Sequence, residues 1–157
     1  MSDSPRSTFV APDAAFAERV RDSFGRQPAM HLIGAYISAV EPGFCEVTLP
    51  IAEKVTQQHG FVHGGITGMI ADSAAGYAAF SLMPPDSSPL TVEYKINMLN
   101  PAAGEKLGGG ARVIKSGKTL VITQGDVFAV KDGAEKLCAT MQQTLIVMRG
   151  VPDIKRA

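Results

Sequence analysis

The chain has no imbalance of charge, few cysteines, and no repeat or low-complexity segment. Each lack excludes a class. With 15 Lys and Arg against 15 Asp and Glu and a near-neutral pI, bulk charge does not suggest binding to nucleic acid or to an anionic membrane. The polar start MSDSPRSTFVAPD lacks the basic-then-apolar order of a secretory signal and reads as a loose arm over residues 1–12. Cys45 and Cys138, each inside strand-like alternation, read as small buried hydrophobes in a reducing compartment, so a cytoplasmic protein is expected. At 157 residues the chain suits one domain with an adequate core, expected over 13–150, followed by a tail over 151–157.

One stretch is long enough to raise the question of a membrane span, Gly64 to Met83. Asp72 at its centre costs roughly 3 kcal/mol on the insertion scale, and four glycines, Thr67, two serines and Tyr77 add little hydrophobicity. The segment is instead a helix buried inside a domain, apolar on every side and stopped by Pro84-Pro85. Asp72 is its one charged side chain, and a carboxylate in such surroundings needs something to answer it. Directly before it, His63-Gly64-Gly65 enters the helix with almost no bulk. Free backbone N–H groups at a helix start form a partial positive charge.

The rest of the chain can be read around this helix. Asp13 is the expected N-cap of a short helix to Phe24, stopped by Gly25, with Phe16, Val20 and Phe24 on one apolar stripe. Leu32–Val40 reads as a strand, turning through Glu41-Pro42-Gly43 into Phe44–Leu49. After the helix, Leu90–Met98 alternates, with Leu90, Val92, Tyr94, Ile96 and Met98 on one face and Thr91, Glu93, Lys95 and Asn97 on the other. Lys106–Lys115 follows, with a bulge or bend expected at Gly108-Gly109-Gly110. Ser116-Gly117 and Asp132-Gly133 are hairpin tips leading into Thr119–Val130 and Lys136–Met148. Hairpin-linked strands with helices kept apart indicate an α+β domain with an antiparallel sheet. An all-round apolar helix then requires a sheet that curls around it or a second subunit that covers it, and both are expected.

Gly60-x-x-His63-Gly64-Gly65 followed by Asp72-x-Ala74-x-Gly76-x-Ala78 resembles the signature of the hotdog-fold acyl-CoA thioesterases, in the branch typified by the phenylacetate-pathway PaaI enzyme. Thr91–Pro101, TVEYKINMLNP, looks like that family's strand after the central helix, and the likeness extends from about Leu32 to Met148. The resemblance implies a curved antiparallel sheet wrapped around one long helix, plus a short N-terminal helix. It implies hydrolysis of an acyl-CoA with a medium-chain or aromatic acyl group. Asp72 takes the place of the family's general base or nucleophile. Gly64 is the glycine whose N–H receives the thioester oxygen. Gln57 stands where many members have an Asn, and Thr91 where a Ser or Thr helps to orient the water; Gly76 occupies a position that some relatives fill with Thr. No cofactor is implied.

The chemistry suits these residue types. Coenzyme A leaves as a thiolate with a conjugate-acid pKa of roughly 8.5, so no strong general acid is needed. A base or nucleophile near the carbonyl, and donors for the oxyanion, suffice. Residues 64 and 72 of one helix stand roughly 12 Å apart at ~1.5 Å per residue. One carbonyl cannot touch both, so a site combining Asp72 of one subunit with Gly64 and Gln57 of another across a two-fold axis is expected. The resemblance implies the same, with a homodimer as the minimal unit and a homotetramer beyond it.

Blander readings stand beside these. Asp72 could be a structural carboxylate. His59 and His63 lack the Glu of H-E-x-x-H and any further ligand, so no metal is expected; His63 shapes the turn, and His31 is a surface or strand-start residue. Of Gln57 and Gln58 only one can face the site, and spacing favours Gln57. Thr91 falls on the polar face, where exposure is the default. Gly65 and His63 border the substrate, Met69 is near enough to Asp72 to line an acyl pocket, and Arg112, Lys115 and Lys118 at a hairpin tip could hold coenzyme A phosphates. Two alternatives to the hydrolase are a non-catalytic acyl-CoA binder and a hydratase or dehydratase. The second lacks its His-Phe-Pro-Gly-type loop here.

Overall fold

In the computed structural model, which describes residues 8–154, six antiparallel strands form one sheet around a central helix. The arm and tail expected at 1–12 and 151–157 fall partly outside the described residues, although Phe9 packs against the core. The elements are α1 Phe16–Gly25, α2 Pro28–Ile33, β1 Tyr36–Glu41, β2 Phe44–Pro50, a 3₁₀ turn Glu53–Val55, α3 Gly64–Phe80, β3 Ser87–Met98, β4 Lys106–Ser116, β5 Leu120–Lys131 and β6 Ala134–Arg149. The sheet order is β1-β2-β4-β5-β6-β3. This is the hotdog fold expected from the motif: a curved, open antiparallel sheet, a long helix packed on it and a short N-terminal helix.

α3 packs on β2 through β6. Glycines in β4 let it come close. A Cβ on Gly109 would stand 3.3 Å from Ile70 Cγ1. The bulge expected at Gly108–Gly110 is therefore absent: the β2–β4 and β4–β5 registers run unbroken through these residues, and β4 bulges instead between Val113 and Lys115. The sheet does not bury α3 on all sides. Ile66, Met69, Asp72, Ser73 and Gly76 form one half-buried stripe at helical spacing, open within a single chain.

Helix ends account for other differences. Asp13 is not the N-cap of α1; it accepts the Ala15 N–H, and the helix starts at Phe16. Val20 and Phe24 are buried as the stripe requires. The strand expected from Leu32 begins only at Tyr36, because Pro28 opens α2 and Gly34 closes it in the left-handed region (φ 82°). His31 therefore sits in α2, its Nε2 2.6 Å from the Gly25 carbonyl oxygen. α3 ends at Phe80, short of Met83. Arg19 gathers the carbonyls of its last residue and of the turn that follows, donating to Phe80, Met83 and Pro84 oxygens, and lies 4.3 Å over the Phe80 ring. Cys45 and Cys138 are buried and free.

The alternation of β3 breaks where it matters most. Thr91 pairs with Leu145, but Glu93 pairs with Thr144 and Tyr94 with Gln143, so Val92 is an extra residue in a bulge. The phase flips there. Thr91 joins Tyr94, Ile96 and Met98 on the face of the sheet toward α3, whereas Leu90 turns outward beside Ile146. The expectation of Thr91 on the polar face is overturned. One inserted residue moves a side chain to the other side of the sheet.

Candidate active site

Asp72 lies two turns inside α3, half-buried on the open stripe. Thr91 Oγ1 donates to its Oδ1 at 2.8 Å, and Gln143 Nε2 donates to the same oxygen at 2.7 Å. Gln143 Nε2 also reaches Thr91 Oγ1 at 3.0 Å. Among the described residues no hydrogen bond engages Asp72 Oδ2. The carboxylate is thus held by one oxygen and open at the other, beside a cavity of about 260 Å³. That cavity is lined by Ser73, Gly76, Pro89 and Leu145 near Asp72, and by Tyr77, Ser23, Gln27, Arg26 and Asp153 farther along. The Tyr77 hydroxyl is 3.1 Å from Ser23 Oγ and accepts from Gln27 Nε2 at 2.8 Å. Burial pushes its pKa up to about 12, against smaller opposing effects of those two hydrogen bonds. It is a neutral donor, not a base.

The other half forms at the N-terminus of α3. His63 is the N-cap, and its Nδ1 accepts the Gly65 N–H at 2.9 Å, which puts the neutral ring's proton on Nε2. The Ile66 and Thr67 amides turn back to the His63 carbonyl. Of these first four amides only the Gly64 N–H makes no hydrogen bond within the described residues, so it is the donor left for a ligand. Gly64 and half-buried Gln57 line a second cavity of about 370 Å³ with Phe61, Met98, Leu99 and Cys138. Gln57 Oε1 accepts the His59 N–H, which aims its side chain along the loop.

The two cavities share no lining residue. Each falls at the small end of, or below, the ~300–1,000 Å³ usual for ligand pockets. Within one chain the structure brings Asp72 and Thr91 together, brings Gln57 and Gly64 together, and does not join the pairs. Gln58 is exposed and lines neither cavity, nor does Met69, which packs on the core. Arg112, Lys115 and Lys118 are exposed on the β4–β5 hairpin and also line neither; Arg112 donates to Gln124 Oε1. Among the described residues no group of three or more His, Cys, Asp or Glu could hold a metal ion. No helix among them is long and apolar enough to cross a membrane.

Sequence reasoning missed Gln143. Its signal was present: Ala139, Met141, Leu145 and Val147 form the buried row of β6, and Gln143 is the polar break in that row.

The curved antiparallel sheet around one long helix is the fold of the hotdog thioesterases that the motif resembles. Comparison agrees. The family described as the Thioesterase superfamily matches residues 59–136, from the loop before α3 into β6. A 1,4-dihydroxy-2-naphthoyl-CoA hydrolase of Listeria monocytogenes is 32% identical over 117 residues, 74% of this chain and 93% of the relative. A thioesterase family protein of Silicibacter pomeroyi superposes with a TM-score of 0.85 at 48% identity, covering 86% of this chain and 99% of that one. The E. coli PaaI protein from the phenylacetic acid degradation operon shares the fold, with a TM-score of 0.77 at 22% identity over 87% of this chain and 95% of its own. The chain belongs to the hotdog-fold thioesterase superfamily.

Proposed function

We propose that the protein hydrolyses the thioester of an acyl-CoA bearing a medium-chain or aromatic acyl group, at a site shared between two subunits. Asp72 Oδ2 takes the proton of a water that adds to the carbonyl carbon, or itself attacks that carbon. The Gly64 N–H of the second subunit, with its Gln57 amide alongside, receives the negative charge that develops on the carbonyl oxygen. The carbon–sulfur bond then breaks and coenzyme A leaves as a thiolate. After water addition the free acid remains. After direct attack the acyl group is left as an anhydride on Asp72, which water cleaves to the free acid and the regenerated carboxylate.

The observation that carries this reading is the separation of the two half-sites within one chain, at ~1.5 Å per residue along α3. A second copy supplies the missing half. Supporting it, β3 is an edge strand whose Val92 and Met98 stand 57% and 51% exposed, and Met98 lines the Gly64 cavity with Leu99 and Phe61. A long apolar edge calls for a cover. The coenzyme A thioester in the name of the Listeria relative supports the substrate class.

The decisive experiment is complementation. Asp72→Asn removes the base, and Gly64→Pro removes the N–H at a position where proline suits the first helical residue. Each variant alone is expected to be nearly inactive toward a panel of acyl-CoAs followed by thiol release. Mixed subunits contain one intact site per dimer and are expected to regain activity. Failure to regain it, with mixed dimers verified by mass, sinks the shared site. An Asp72→Asn protein as active as wild type sinks the hydrolytic role and favours an acyl-CoA binder.

A further inference from the structure

Behind Asp72 and Thr91, which line the cleft, lies a side chain for which the mechanism above has no use. Gln143 is fully buried on β6, and its Oε1 has no hydrogen-bond partner among the described residues. A leucine or methionine there would continue the apolar row of Ala139, Met141, Leu145 and Val147 and leave nothing unsatisfied. An orphaned buried acceptor disfavours folding, so its presence asks for a return elsewhere. That return lies at the other end of the amide. Nε2 has two protons, and its two neighbours are Asp72 Oδ1 and Thr91 Oγ1.

The neighbours fix which way the amide faces. Turned over, Oε1 would meet the Asp72 oxygen that already accepts from Thr91, acceptor against acceptor. Gln143 also occupies an acceptor position on the Thr91 hydroxyl, whose single proton then goes to Asp72. Two donors therefore converge on Oδ1 from two different strands. The terminal torsion of an Asp side chain is soft. Without those donors the carboxylate would turn in the cleft and present either oxygen.

We infer that Gln143 is a positioning residue for the hydrolysis. It clamps Asp72 by Oδ1, both directly and through Thr91, so that Oδ2 is the oxygen delivered to the water or the carbonyl. The inference rests on the role given to Asp72 above. It assigns to β6 a part in the site that neither the motif nor the helix contains.

Two variants of the full-length protein test it. Gln143→Met keeps length and loses both donors; kcat is expected to fall about tenfold or more with KM little changed, as a misplaced reacting group dictates. Its thermal midpoint is expected to change little, because removal of the orphaned acceptor offsets the lost bonds to Asp72 and Thr91. Gln143→Glu sets a second carboxyl against Asp72, and the pair must share a proton. The acid limb of its kcat–pH profile is expected to move up by about one unit or more. Arg26, Tyr77 and Asp153, the other ionisable groups lining that cavity, stay in place in both variants. A Gln143→Met enzyme within twofold of wild type, or a fall in kcat matched by a lower midpoint together with an unmoved Gln143→Glu profile, overturns the inference. Asp72→Asn assayed in parallel separates the two failures: if it retains activity the hydrolytic role of Asp72 fails first, and if it is inactive while Gln143→Met is not, only the clamp fails.

Discussion

The two halves of the site are built in opposite ways. The Gly64 half is local: a histidine cap, two glycines and a helix start, all within a few residues, leave one amide unengaged. The Asp72 half is assembled from afar. Its carboxylate comes from α3, one donor from a bulged position in β3 and the other from β6, 71 residues along the chain. Backbone donors come with any helix start, whereas a carboxylate in apolar surroundings must be answered by side chains that only tertiary folding delivers. Damage to the first half should therefore remove a donor and little else. Damage to the second should also disturb the packing around it.

Breaking the comparison at its strongest point, Asp72→Asn is expected to lower kcat about 10²–10⁴-fold, the range for loss of a general base. Gly64→Pro is expected to lower it about 10²–10³-fold, as loss of one oxyanion donor does, with the thermal midpoint nearly unchanged. Equal loss of stability in the two variants would contradict the contrast drawn here. Thr91→Val removes one of two donors on Oδ1, and a hydrogen bond to a charged group is worth about 1.5–3 kcal/mol. A fall in kcat of roughly tenfold or more is the corresponding outcome in steady-state kinetics.

Smaller effects sharpen the picture away from the chemistry. Arg19→Met strands the Met83 and Pro84 carbonyls in the turn after α3 and is expected to cost about 1–3 kcal/mol in denaturant unfolding, with KM unchanged. The thiols should be quiet. Burial pushes Cys45 up to about 12 and raises Cys138, which also lines the Gly64 cavity, so neither is a thiolate at neutral pH. A thiol reagent used to follow coenzyme A release is expected to react with both cysteines only after unfolding. Rapid reaction of the native protein would contradict the burial described.

Much of the fold could be read in the chain because its signals are short-range. Asp132-Gly133 makes a hairpin whose two residues both take positive φ, 51° and 77°. The apolar run from Gly64 makes the one long helix, and Gly43 turns β1 into β2 at φ 75°. The errors arose where one residue decided a phase. Pro28 and Gly34 make a short helix of what reads as the start of a strand. The Val92 bulge reverses the pattern of β3, and the clean alternation of Leu90–Met98 hides it. The glycines of β4 read as a bend because their use, a close approach by Ile70, comes from an element far away in sequence. Gln143 escaped notice for a related reason: its only peculiarity is being polar in a row that is known to be buried once the sheet is formed.

The amino-acid sequence by itself determined the central helix, its lone carboxylate, the bare glycine entrance and the antiparallel class of the sheet. All of these follow from periodicity, turn chemistry and the cost of burying charge. Only the tertiary structure decided what faces the carboxylate. Which strand lies beside α3, in which register and on which side of a bulge, depends on pairings between residues dozens of positions apart. That is why Thr91 and Gln143 meet Asp72 at a single oxygen.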